Sequence, residues 1–186
     1  MHRREAVQYI SLLLGGTIIG SNVFLSGCKS DTGTHAAFSP EDVAYLDDVA
    51  DTILPTTSTP GAKAAKVGEF MTIMVNDCYE DKDQKIFHDG MGKLNDLSKK
   101  TYDDSFSKIT EQQRHDLLVK LDTEQKEYMK NKKPEDPSHY FRMMKELTLL
   151  GYFTSEIGCT QARRYVETPG KFEGCVPYKK GDKAWA

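Results

Sequence analysis

Residues 138–157 read SHYFRMMKELTLLGYFTSEI, and their pattern decides the fold class. Phe141, Met144, Leu147, Leu150, Phe153 and Ile157 recur every three or four positions. That spacing predicts one apolar helical face, with Ser138 as the cap. It is the most apolar helix expected after the leader. Pro134 and Pro137 separate it from what precedes.

Moving upstream, the same period returns. Thr110 and Gln113 form a capping box with Ile109 as a staple, and Leu117, Leu118 and Leu121 face inward. Residues 122–133 are densely charged and read as a solvated face. A more polar helix is expected over 81–100, with Ile86, Phe87, Leu94 and Leu97 inward and its middle weakened by Gly90 and Gly92. Another spans about 64–79, where Val67, Phe70, Met71, Met74 and Cys78 share a stripe, so Cys78 reads as a buried core thiol. The first starts at Ser39-Pro40-Glu41-Asp42. Serine caps it, proline suits its first position, and the acids face the positive end of the dipole. Pro55 stops it, and 55–62, PTTSTPGA, reads as a turn-rich loop. No internal repeat and no βαβ alternation is visible. The expected fold is all-α, a small irregular bundle of about five helices.

Downstream of 158 the period vanishes. CTQARRYVETPGKFEGCVPYKKGDKAWA, residues 159–186, is punctuated by Gly, Pro and aromatics. An irregular ordered tail is expected, lying across the helices. Cys159 and Cys175 stand 16 positions apart. A disulfide between them would be worth about 3 kcal/mol in the chain-entropy model and would staple the tail. The alternative is two unpaired thiols.

The compartment is written at the other end. The chain opens MHRREAVQYISLLLGGTIIGSNVFLSGCK. A basic n-region and an uncharged run over 10–25, too short and Gly-diluted to span a membrane comfortably, read as a signal peptide over 1–27. Leu25-Ser26-Gly27-Cys28 resembles a bacterial lipobox, with Cys28 as the lipidated first mature residue. An ordinary signal peptide with an incidental cysteine is the alternative. Arg3 and Arg4 resemble a twin-arginine export signal, although His2 and Ala6 depart from its usual flanks. Residues 28–38 form a flexible tether, and 39–186 a single helical domain. The expected location is the periplasmic side of the envelope, attached to a membrane through Cys28.

Composition excludes some functions. The 186 residues carry a net charge of −3, which speaks against nucleic acid as a partner. No C-x-x-C, Gly-rich phosphate loop, nucleophile elbow or helical His pair appears. The five histidines, at 2, 35, 88, 115 and 139, are scattered. The acidic pairs Asp47-Asp48 and Asp103-Asp104 are sequence neighbours, which do not share a helix face. No catalytic, cofactor or metal residue is therefore assigned. An independent enzyme would need a pocket of convergent polar groups that these residues do not outline.

Two segments resemble a known family. LDDVADTILPTTSTPGAKAAKVGEFM, residues 46–71, is similar to the front of the gluconate 2-dehydrogenase subunit 3 family. There a helix ending in I-L-P leads into a T-P-G-A turn. LTLLGYFTSEIGCTQARRYVETPGKFEGCVPY, residues 147–178, resembles its G-Y-F-T-S-E, R-Y-x-x-x-P-G and G-C stretches. The resemblance covers about 40–186, weakly in the charged middle. It implies a small non-catalytic subunit beside a large FAD-dependent dehydrogenase of the glucose-methanol-choline type, often with a cytochrome c subunit. The large subunit oxidises a sugar or sugar acid, and the small one stabilises it and accompanies it through twin-arginine export. FAD would sit in the partner, with none in this chain. A lipobox departs from the family pattern and would anchor this version by its own lipid. The expected partner interface draws on Tyr152, Phe153, Tyr165, Phe172 and Trp185. The competing expectation is a free-standing periplasmic lipoprotein, a binding or envelope-structural module.

Overall fold

A computed structural model describes residues 38–185 except 169 and 172. The expected leader with Arg3 and Arg4, Cys28, most of the expected tether, and Phe172 lie outside the described residues. The described chain is helical and has no strand: α1 (Pro40–Ile53), α2 (Val67–Cys78), α3 (Asp81–Tyr102), α4 (Glu111–Asn131), α5 (Tyr140–Thr154), then a π-helical turn (Gly158–Ala162).

Local chemistry starts two helices as the sequence predicts. Ser39 Oγ accepts the Asp42 N–H at 3.2 Å, and the Asp42 carboxylate accepts the Ser39 N–H at 2.9 Å. Thr110 and Gln113 repeat the arrangement at 3.3 and 2.9 Å. Such reciprocal caps satisfy two amide groups that the helix leaves open. α2 begins three residues later than predicted, at Val67, because Ala62–Lys66 turn first and Lys66 is left-handed at φ 55°. No side chain of its own caps α2. Asp47 on α1 reaches across instead and accepts the Gly68 N–H at 2.8 Å.

α5 is the centre of the bundle and packs against α1, α2, α3 and α4. A helix surrounded this way needs an apolar surface wider than a stripe. Its buried set is Phe141, Met143, Met144, Leu147, Thr148, Gly151 and Tyr152. The predicted stripe runs off this surface. Leu150 is 45% exposed, and Phe153 and Ile157 are half-buried. Three residues turn a helix by 300°, so three successive steps of three carry a side chain to the opposite side. Phe141 and Leu150 are such a pair.

The other predicted core positions fare as follows. Phe87, Leu94, Leu117, Leu118 and Leu121 are buried, while Ile86 and Leu97 are partly so. The charged stretch 122–133 continues α4 to Asn131 and is not wholly solvated: Gln125 is buried. Cys78 is exposed, not core. α2 stops there, so no further turn of the helix covers the thiol. Gly90 does more than weaken α3. An alanine Cβ there would lie 2.5 Å from the Tyr140 Cβ, so the glycine admits that side chain. Gly92 faces open space, and Gly92→Ala is expected to raise stability by about 0.5–1 kcal/mol, read as a higher denaturant midpoint at unchanged slope.

The cap of α5 is His139, one residue after the predicted Ser138. Its Nδ1 accepts the Phe141 N–H at 3.2 Å. Burial lowers the imidazole pKa and outweighs the opposing Glu124 carboxylate. The fold therefore holds the neutral ring. This contribution is complete above the unfolded value of about 6.5 and is lost as pH falls through the lower folded value. Thermal stability should decline on that acid side. His139→Asn, which keeps a capping oxygen, should flatten the decline; parallel Tm-against-pH curves for the two proteins would contradict this.

The predicted staple is absent. Cys159 and Cys175 are both free thiols. The Cys159 thiol lies in the π-helical turn and donates to the Phe153 carbonyl at 3.3 Å, while Cys175 is exposed in the tail. The tail is closed by other means, described below.

Candidate functional site

The two motif regions meet in space. The 55–62 loop folds back on the end of α1: the Ala62 N–H donates to the Leu54 carbonyl at 2.9 Å, and the Gly61 N–H to Thr56 Oγ1 at 3.0 Å. Tyr152 of the G-Y-F-T-S-E stretch donates its hydroxyl to the Pro60 carbonyl of T-P-G-A at 2.7 Å. Ser155 then ends α5. Its hydroxyl donates to the Tyr152 carbonyl at 2.7 Å and accepts the Gly158 N–H at 3.0 Å, which starts the π-helical turn. Tyr152 is only 4% exposed, so it is a core tie and not the partner contact expected from the sequence. A phenol carries both the apolar ring that a core position wants and a hydroxyl that reaches a buried carbonyl.

Beyond the turn the chain leaves the bundle. Every described residue from 164 to 185 is exposed, so the tail is an arm and does not lie across the helices. Its base is closed by Arg164. The Arg164 N–H donates to the Ala184 carbonyl and its Nε to the Lys183 carbonyl, both at 2.8 Å. Its guanidinium stands 4.3 Å from the centre of the Trp185 ring. Lys183 Nζ adds a bond to the Gln161 carbonyl. A one-residue parallel bridge, Arg164 to Trp185, thus does the closing that a disulfide was expected to do.

The predicted interface residues divide. Phe153 is half-buried beneath Arg163, whose guanidinium lies 4.5 Å from its ring centre. Tyr165 and Trp185 are 55% and 56% exposed on the arm. The sequence reading missed Val166, Val176 and Tyr178, the last 79% exposed. Their signal was present: apolar residues in a stretch without helical period have no core face to join. Val166, Val176 and Trp185 line a shallow, mostly apolar groove edged by Lys171 and Glu173.

The acidic pairs have structural duties. Asp47 caps α2, while Asp48 turns to Lys63 at 3.0 Å and Arg114 at 3.7 Å. Asp103 ends α3 in a left-handed conformation, and Asp104 accepts the Ser105 N–H at 2.8 Å. Asp122 is desolvated, which pushes its pKa up. Its bonds to Lys126 and Lys145 prevail and bring it down to about 2. Among the described residues no group of three or more His, Cys, Asp and Glu side chains is placed to hold a metal ion. None of the described helices is long and apolar enough to cross a membrane.

The described chain is thus a small helical domain whose most concentrated exposed aromatic surface sits on a closed arm. It belongs to the gluconate 2-dehydrogenase subunit 3 family, whose model matches residues 40–170. No curated protein and no solved structure matches the chain.

Proposed function

We propose that this chain is the non-catalytic small subunit of an exported FAD-dependent sugar or sugar-acid dehydrogenase. The observation that carries the reading is membership of a family described as a dehydrogenase subunit. The partner is a large flavoprotein of the glucose-methanol-choline type, with a cytochrome c subunit as a further member. FAD and the chemistry belong to the partner. This chain stabilises the flavoprotein and accompanies it through export, directed by Arg3 and Arg4. Lipid on Cys28 holds the complex on the periplasmic face of a membrane.

Exposure of their rings supports a docking role for Tyr165 and Trp185, and the proposed interface also includes Phe153 and Phe172. Aromatic side chains left in water at one place commonly anchor a partner. The test is isolation of the full-length chain from its native membrane in mild detergent. Flavin fluorescence and mass spectrometry are then read on what accompanies it. A large flavin-bearing protein in stoichiometric amount is expected, with an acylated Cys28 at the mature N-terminus. An intact, lipidated chain arriving alone would overturn the reading in favour of a free-standing lipoprotein.

A further inference from the structure

The arm differs from the rest of the domain in charge as well as in packing. Residues 38–162 carry 23 acidic and 16 basic side chains, whereas 163–185 carry 6 basic and 3 acidic. One of the acids, Glu173, is paired with Lys171 at 2.6 Å. A basic, aromatic arm therefore projects from an acidic body. The net charge of the whole chain, −3, hides this, because the basic arm offsets only part of the acidic body.

We infer that the arm recognises an acidic protein surface that offers an apolar side chain to the groove between Val166, Val176 and Trp185. This rests on the reading of the chain as an accessory subunit and names the chemistry of the partner's face. Two observations carry it. Opposite charge on arm and body gives orientation: an acidic partner face attracts the arm and repels the helices behind it, so only one approach is favourable. The groove gives the choice between a protein and a lipid surface. It is a shallow, mostly apolar depression with the Arg164–Trp185 bridge at its base, and so has room for a protruding side chain. A bilayer presents no such projection.

Lys179 and Lys180 are exposed, and neither side chain forms a salt bridge among the described residues. They are suited to charge reversal without loss of the fold. Association of the full-length chain with its co-purified flavoprotein should be followed in mild detergent at low and high salt. Lys179→Glu/Lys180→Glu is expected to slow association on the order of tenfold at low salt, with the difference closing at high salt. Lys108→Glu/Lys120→Glu, an equal charge change on the body, should alter it less than about twofold. Equal effects from both pairs would overturn the inference in favour of net charge alone. An unaltered complex with the arm pair reversed would overturn it while leaving the accessory-subunit reading intact. Failure of the unmodified chain to bind any flavoprotein would remove both. The same proteins should be sedimented with phosphatidylglycerol vesicles. Arm-dependent vesicle binding, with flavoprotein association unchanged, would make the counterpart a lipid surface and refute a protein one.

Discussion

Gly158→Ala is expected to destabilise the protein by about 3 kcal/mol, at the upper end of what an extra methyl in a closed site costs. The new Cβ would fall 1.9 Å from the Tyr152 carbonyl oxygen. That oxygen is not free to retreat. It already accepts the Ser155 N–H at 3.2 Å and the Ser155 hydroxyl at 2.7 Å. Relief therefore means unwinding the π-helical turn that joins α5 to the arm. For a domain of this size the loss corresponds to a fall in Tm of roughly 6–12 °C. Hydrogen exchange should report the damage between the end of α5 and Arg164 before it reaches the other helices. Gly92→Ala is the matched control, because nothing lies within 4 Å of its added methyl. A Gly158→Ala protein that melts with the unmodified one would mean that the turn is not closed around that carbonyl.

Tyr152→Ala should be more damaging still, at about 3–5 kcal/mol. It removes a buried ring that packs edge-on against Phe153, with centres 5.2 Å apart, and cuts the tie to Pro60. Tyr152→Phe separates the two contributions. It keeps the ring and leaves the Pro60 carbonyl without that donor, a loss of about 1–2 kcal/mol. These variants also decide between two roles for the residue. A partner anchor would lose affinity at unchanged stability. The buried geometry requires the reverse order, with stability falling first. Denaturant melts of the two variants, beside binding of the phenylalanine form to the proposed partner, distinguish them.

Several features were legible because their causes are local. The capping boxes at Ser39 and Thr110 need only residues three positions apart. The inward faces of α3 and α4 follow from the helical repeat, as Phe87, Leu94, Leu117, Leu118 and Leu121 attest. The family likeness also rested on short quoted segments, and the family match over 40–170 bears it out. Errors arose where the deciding contact came from elsewhere in the chain. Leu150 satisfied a spacing rule, but four neighbouring helices fix the rotation of α5, and they leave it exposed. Cys78 lay on a good stripe but at the last residue of its helix, where it is exposed.

By itself the sequence determined an all-α domain and the capped starts of two of its helices, at Ser39 and Thr110. Those properties follow from backbone hydrogen bonding and from periodicity within a few residues. Only the tertiary structure decided what the motifs are for. It joins Tyr152 to Pro60 across 92 positions, assigns Asp47 to the open end of α2, and closes the arm through Arg164 rather than through Cys159 and Cys175. It also separates a basic arm from an acidic body. The charge counts can be read along the chain, but only the fold shows that the basic segment stands exposed beyond the helices, and a charge acts according to its distance from other charges in space.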